Sequence, residues 1–397
     1  MIVSYKHMLS YRRPYLIIPK LIEQSTWGGD YIVKLKNWGS KPELKDKKIG
    51  QSYELFGRSI LALHLKDTRN STFQPEFDYG KTGVIASRFL LSEKKDYLHL
   101  DDLVDSDPNK VLGEKIWKRY RAMPILIKIN QAYGNSFQLH LKPGSIHPRW
   151  QPKPESWYYL EKGLATLGLK TNVNLASYQK TCEAIEGKMA YLSAQVMCDE
   201  LDLTEAKIEA QEYIKKKNPW QFVNLVEVDK YTLIDISAGG IHHSWEENRQ
   251  KFPLGNVVYE VQLDVMDPIS SIRSFDQGKL KNGGGIREIH IDDYFHFLDT
   301  SAELNDPAFL QKKRQGNHIL KTANYCLDIL EVNTALTAST GDSFNHFYVR
   351  DGEVEITATD GSVCLTAGHS CFLPQAVGQY EIKAKTPSTI LKTSIEV

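Results

Sequence analysis

The sequence predicts a mainly β protein of barrels or jelly rolls with α-helices inserted between the strands. Short period-two segments recur in two blocks of the chain, which fits barrels better than a parallel sheet. Asp351-Gly352 and Asp360-Gly361 punctuate the last block, and Asp-Gly between alternating segments is a strong hairpin signal. Helical spacing is confined to two stretches, about 100–123 and 174–217.

Taken in order, β-favouring runs at 14–20, 50–55 and 61–65 predict the first strands, with a turn at Trp27-Gly28-Gly29. Asp102, Asp105 and Asp107 then precede Val111, Leu112, Ile116 and Trp117, whose spacing is helical. In 125–130, Ile125, Ile127 and Ile129 alternate with Leu126, Lys128 and Asn130. Strands are expected at 137–141 and 156–160. The second helical region, rich in Ala, Glu, Lys and Leu, stops before Asn218-Pro219-Trp220. Strand patterns return at 225–235, 257–263 and 288–291. Short strands at 347–349, 354–357, 362–365, 371–374 and 380–383 follow. The expected division is a larger domain over 1–300, carrying both helical insertions, and a β-barrel domain over 301–397.

The bulk numbers exclude several function classes. The 397 residues are 41% hydrophobic and 25% charged, enough for more than one core. Lys plus Arg and Asp plus Glu both total 49, so no net field recruits nucleic acid or an anionic membrane. Residues 1–13 lack a signal-peptide apolar core, and no apolar run is long enough to cross a bilayer. The five cysteines, with no C-x-x-C pair, read as reduced thiols. A soluble cytoplasmic protein is expected.

The chemistry-bearing residues cluster in three places. On a strand, Gln138 and His140 share one face while Phe137 and Leu139 share the other. That leaves an amide oxygen and an imidazole side by side, facing a barrel interior. Glu155 shares a strand face with Trp157 and Tyr159. The small residues of Ser237-Ala238-Gly239-Gly240 let the backbone turn sharply and bring back a histidine from Ile241-His242-His243. One Gln, two His and one Glu would suit a borderline divalent ion such as zinc. Each piece alone also reads as an ordinary polar pair, a surface carboxylate or a solvated loop. Asn282-Gly283-Gly284-Gly285 lacks the Gly-Lys-Ser/Thr of a phosphate loop and reads as a hairpin turn.

As an ordered set, these segments resemble the signatures of the type I mannose-6-phosphate isomerases (phosphomannose isomerases) of the cupin superfamily. Trp27-Gly28-Gly29 and Gly50-Gln51-Ser52-Tyr53-Glu54 are similar to the family's early Trp-Gly-Gly turn and its Gly-Glu-Ser-Trp-Glu stretch. The 124–130 strand with Phe137-Gln138-Leu139-His140 resembles the lysine-bearing strand and metal-binding Gln-x-His. Lys153-Pro154-Glu155 resembles Lys-Pro-Glu, and Ala238-Gly239-Gly240-Ile241-His242 resembles Ala-Gly-Thr-x-His. Tyr259-Glu260-Val261-Gln262, Arg273-Ser274-Phe275-Asp276 and Arg287-Glu288-Ile289-His290-Ile291 resemble the later Tyr-Glu-Ile-Gln, Arg-x-Tyr-Asp and Arg-Glu-Leu-His-Ile runs.

The resemblance implies cupin-type double-stranded β-helix barrels and one divalent metal per chain, zinc foremost, held by Gln138, His140, Glu155 and His242. It implies interconversion of mannose 6-phosphate and fructose 6-phosphate through an enediol. Glu260 or Lys153 would transfer the proton, Arg273 would stabilise charge, and Lys279 and Lys128 would bind substrate or phosphate. The implied partner is a small sugar phosphate, with no nucleic acid and no membrane; monomer and homo-oligomer stay open. There are departures. Leu141-Lys142-Pro143 stands where the family has Pro-Asp-Asp, Ser237 replaces a proline and Gln51 a glutamate, and His243 replaces a small residue. His147 and Arg149 are extra polar residues. Two alternatives stay open: an isomerase of another sugar phosphate, and a non-catalytic cupin that senses metal or sugar.

Overall fold

The computed structural model describes residues 10–24, 27–40, 42–68, 84–85, 97–242 and 245–396. The chain forms two compact units: Met1–Asn130 with Glu260–Asp264 and Lys313–Val397, and Gln131–Tyr259 with Val265–Lys312. Among the described residues no helix is long and apolar enough to cross a membrane.

The first unit contains a jelly roll of two facing sheets. One runs His318–Lys321, Cys326–Val332, Ser388–Ser394, Asn345–Asp351, Ser370–Leu373, Tyr15–Ile18, Ile60–Ala62, Tyr97–His99. The other runs Ala335–Ser339, Gln379–Ala384, Glu353–Ala358, Gly361–Thr366. Alternate residues from both sheets, among them Phe347, Val349, Val354, Ile356, Val363 and Ile390, close one apolar core. Only the second Asp-Gly signal is a hairpin; Asp351-Gly352 instead carries the chain from Asn345–Asp351 in the first sheet to Glu353–Ala358 in the second, which corrects the hairpin expected there. Ala358 pairs with Gly361 across a two-residue loop, and Gly352 adopts φ +87°. The expected helical stretch is three short helices, Leu100–Ser106, Pro108–Leu112 and Glu114–Tyr120. Asp107 caps the second by accepting from Lys110 N at 3.1 Å, with Pro108 in the first turn.

In the same unit Ile49–Leu55 pairs with Ile125–Ala132, setting Tyr53 opposite Lys128 and Gln51 opposite Asn130.

In the second unit the strand Phe137–His140 lies between Gly240–His242 and Ile272–Phe275. Its Phe137 and Leu139 join an apolar cluster with Tyr178, Cys182, Ile185, Ala206, Ala210 and Ile214 of two long helices. Those helices, Leu175–Met197 and Leu203–Lys217, are the second expected helical region. Asn174 caps the first through Ser177 N, and Asp202 caps the other through Thr204 N and Glu205 N. Apolar packing on one face thus turns Gln138 and His140 to the other.

Two further sequence expectations are corrected. The run 225–235 is two strands, Val223–Val228 and Leu233–Asp235, broken by a turn in which Tyr231 takes φ +68°. The stretch 288–291 is not a strand. His290 N bonds Arg273 O at 2.7 Å, but the chain then enters the helix Ile291–Phe297, whose first turn holds Asp292 and Asp293.

Candidate metal centre

The strand pairing brings the sequence-predicted ligands together at the backbone. Antiparallel register sets His242 opposite Gln138 on one side, and Arg273 opposite Gln138 on the other. Directly opposite each other in an antiparallel ladder, Arg273 and Gln138 share a face. Gly239 makes the return possible: it sits at φ +76°, and a Cβ there would lie 2.7 Å from Leu141 O. His243 lies outside the described residues.

His140 and Glu155 are both buried, and their side chains meet. His140 Nδ1 lies 2.6 Å from the carbonyl oxygen of Ser270. A carbonyl only accepts, so Nδ1 carries the proton and donates, and Nε2 is the ring atom turned toward Glu155. Nε2 stands 3.2 Å from Glu155 Oε2. A lone pair facing a carboxylate across that gap is favourable only with a shared proton or a shared cation. Gln138 Oε1 accepts from Ser136 Oγ at 3.4 Å. Imidazole nitrogen, amide oxygen and carboxylate oxygen form a donor set that fits a divalent ion, and the Ser270 carbonyl is the outer partner that ligating histidines use. Among the described residues no three His, Cys, Asp or Glu gather into a metal cluster.

Around the pair the structure sets Lys153 and Trp157, both named from the sequence, and Asp267 and Ser270, which sequence reasoning missed. Lys153 Nζ reaches Glu155 Oε2 at 3.4 Å and Asp267 Oδ1 at 2.7 Å. The Trp157 indole donates to Glu155 Oε1 at 2.9 Å. Asp267 and Ser270 sit far along the chain from the ligands, and no local spacing announces them. Trp157 was visible as the i+2 neighbour of Glu155.

Arg273 and Lys279 form a cationic region with Arg287. Burial, and secondarily Arg287, lowers the pKa of Arg273. Its Nη1 donates to Ser271 O at 3.2 Å, and its buried Nε has no hydrogen-bond partner among the described residues. Burial pulls Lys279 down to about 8, and its ammonium donates to Gly134 O at 2.7 Å. Arg287 pairs with Asp276 at 3.1 Å. His147 is spent locally, its Nδ1 accepting from the backbones of Arg149 and Trp150. Arg149 pairs with Glu288.

Glu260 and Lys128 belong to the first unit. They are a buried ion pair at 3.0 Å, and Asn130 Nδ2 donates to the other Glu260 oxygen at 2.6 Å. Gln51 Nε2 in turn donates to Asn130 Oδ1.

Residues 317–390 match the family described as mannose-6-phosphate isomerase, cupin domain. The matched stretch lies within the jelly roll of the first unit. No curated protein matches the chain in sequence. Solved structures match nearly all of it in shape. The mannose 6-phosphate isomerase of Bacillus subtilis has TM-score 0.62 at 13% identity, over 96% of this chain and 99% of its own. A phosphomannose isomerase variant of Salmonella typhimurium gives 0.64 at 13%, over 97% and 100%. A zinc-bound mannose 6-phosphate isomerase gives 0.63 at 13%, over 97% and 100%. At such identities the likeness establishes the fold, which for the whole chain is that of the phosphomannose isomerases. In the matched stretch, His346 and His369 are buried and burial lowers both pKa values to about 3, so they stay neutral.

Proposed function

We propose that the chain is a metal-dependent aldose–ketose isomerase that interconverts mannose 6-phosphate and fructose 6-phosphate. The observation that carries the reading is the buried His140–Glu155 pair, beside the register row of His242, Gln138 and Arg273, within the phosphomannose isomerase fold. Gln138, His140, Glu155 and His242 would hold one divalent ion. Bound there, zinc would supply Lewis-acid stabilisation of sugar oxygens.

The chain's own residues divide the remaining work. Glu260 takes the proton from the carbon next to the carbonyl and returns it to the neighbouring carbon, passing through an enediol. Lys128 and Asn130 orient its two oxygens. Lys153 is the second candidate for the proton. Arg273 stabilises negative charge developing on the substrate oxygen, and a guanidinium with an unspent Nε suits that task. Lys279, with Lys128, serves the phosphate. The identity of the sugar is the open variable. Lys142, where the family has an aspartate, is tied to Asp299 at the start of the loop that follows His140. That departure favours a second reading, an isomerase of a related sugar phosphate.

The test is Glu260→Gln against wild type on mannose 6-phosphate. Removal of a positioned base lowers kcat by about 10²–10⁴ with metal content unchanged. Full activity in this variant moves the proton to Lys153. Wild-type protein inactive on every sugar phosphate, despite bound metal, hands the case to a metal- or sugar-sensing cupin.

A further inference from the structure

The two oxygens of Glu155 have different neighbours. Oε2 faces His140 Nε2 at 3.2 Å, while Oε1 accepts the Trp157 indole N–H at 2.9 Å. Trp157 is two residues further along the strand Glu155–Tyr159, so both side chains leave on one face. Its ring packs against Trp245 with centroids 5.0 Å apart, and both rings are at most 3% exposed. The two rings are tilted at 47° to each other, and a ring so enclosed cannot turn its N–H elsewhere without opening the core. The indole is a donor only, and it is neutral. It can therefore fix the carboxylate's rotation without placing a second positive charge beside a bound cation. Lys153, 3.4 Å from Oε2, does bring such a charge.

We infer that Trp157 is a positioning residue for the metal-binding carboxylate: it occupies Oε1 so that Glu155 presents Oε2 alone, on the side of His140. The inference rests on the reading of Glu155 as a metal ligand. Outer partners of this kind, when removed, cost about 10–100-fold in metal affinity.

The experiment measures zinc affinity of the full chain by competition with a chromophoric chelator, alongside thermal unfolding of the metal-free protein. Trp157→Phe keeps most of the ring that packs on Trp245 but has no N–H. Its zinc Kd should rise about ten-fold or more. Trp157→Leu, also without a donor, should show at least the same rise if Phe packs poorly. Trp150→Phe is the control for losing a buried indole, because Trp150 donates to Asp293 Oδ2 at 2.8 Å instead. Its zinc Kd should stay at the wild-type value. A purely structural role would lower the melting temperature and leave the Kd of the folded fraction unmoved. Unchanged Kd in folded Trp157→Phe, with zinc lost in Glu155→Ala, overturns this inference alone. Zinc held equally well by Glu155→Ala overturns the metal reading, and this inference with it.

Discussion

Lys279 shows how the fold alters a single residue. Its ammonium is drawn out of water, and burial brings its pKa from 10.5 to about 8. The sign of the linkage follows. The unfolded chain keeps this proton up to the ordinary lysine value, whereas the folded chain releases it near pH 8. Below pH 8 the buried charge opposes folding in full, and that penalty is relieved as pH climbs toward 10.5. For a residue proposed to hold phosphate, the same titration shows in substrate binding. KM for the sugar phosphate should rise as pH passes about 8, and Lys279→Arg should remove the rise because guanidinium stays charged. A pH profile of KM that is flat for wild type would take Lys279 out of the phosphate site. At this scale the sequence was partly legible. Gln138 and His140 declared a shared face through period-two spacing. The Ser270 carbonyl that orients His140 did not, because a backbone acceptor at long range leaves no residue-type signal.

At the scale of elements, legibility followed chemistry that is local. The capped helices and the hairpin at Asp360-Gly361 were readable because their determinants lie within a few residues, whereas Asp351-Gly352 gave the turn but not the change of sheet. The strand Gly163–Leu169 was not. It pairs with Val223–Val228 through a register shift between Thr166 and Leu169, and Gly168 there takes φ +72°. A Cβ at Gly168 would stand 2.3 Å from the Asn305 backbone. Asn305 cannot yield cheaply, since its side chain accepts from Leu169 N and donates to the carbonyls of Asp299 and Ser301. Gly168→Ala should therefore cost about 2 kcal/mol or more, combining left-handed strain with overpacking. Urea denaturation with an unchanged midpoint would contradict the bulge geometry. The misread stretch 288–291 has a related cause. Alternation in four residues cannot distinguish a strand from an approach to a helix, and the single backbone bond to Arg273 decides it.

For the whole molecule, the least legible property was connectivity. The first described strand, Tyr15–Ile18, pairs with Ser370–Leu373, so Tyr15 meets Phe372 across almost the full sequence. Alternation announces a strand but never its partner. Within that unit a buried polar staple also joins distant segments. Lys36 Nζ lies 2.8 Å from Glu54 Oε1 and donates to Gly368 O, while Ser370 Oγ donates to Glu54 Oε2 at 2.7 Å. Both charges are at most 1% exposed, so Lys36→Met leaves the Glu54 carboxylate uncompensated. The expected loss is about 3–5 kcal/mol in chemical denaturation, and Glu54→Met in the same chain should recover part of it. Additive losses would show that the pair is not coupled. The function proposed for the molecule depends on metal at His140 and Glu155 and on turnover of a sugar phosphate. The most direct measurement is conversion of mannose 6-phosphate to fructose 6-phosphate by zinc-loaded protein, by the same protein after chelation, and after zinc is returned. The account predicts turnover that chelation abolishes and zinc restores. Turnover unaffected by complete metal removal would contradict it, as would none in protein carrying one zinc per chain.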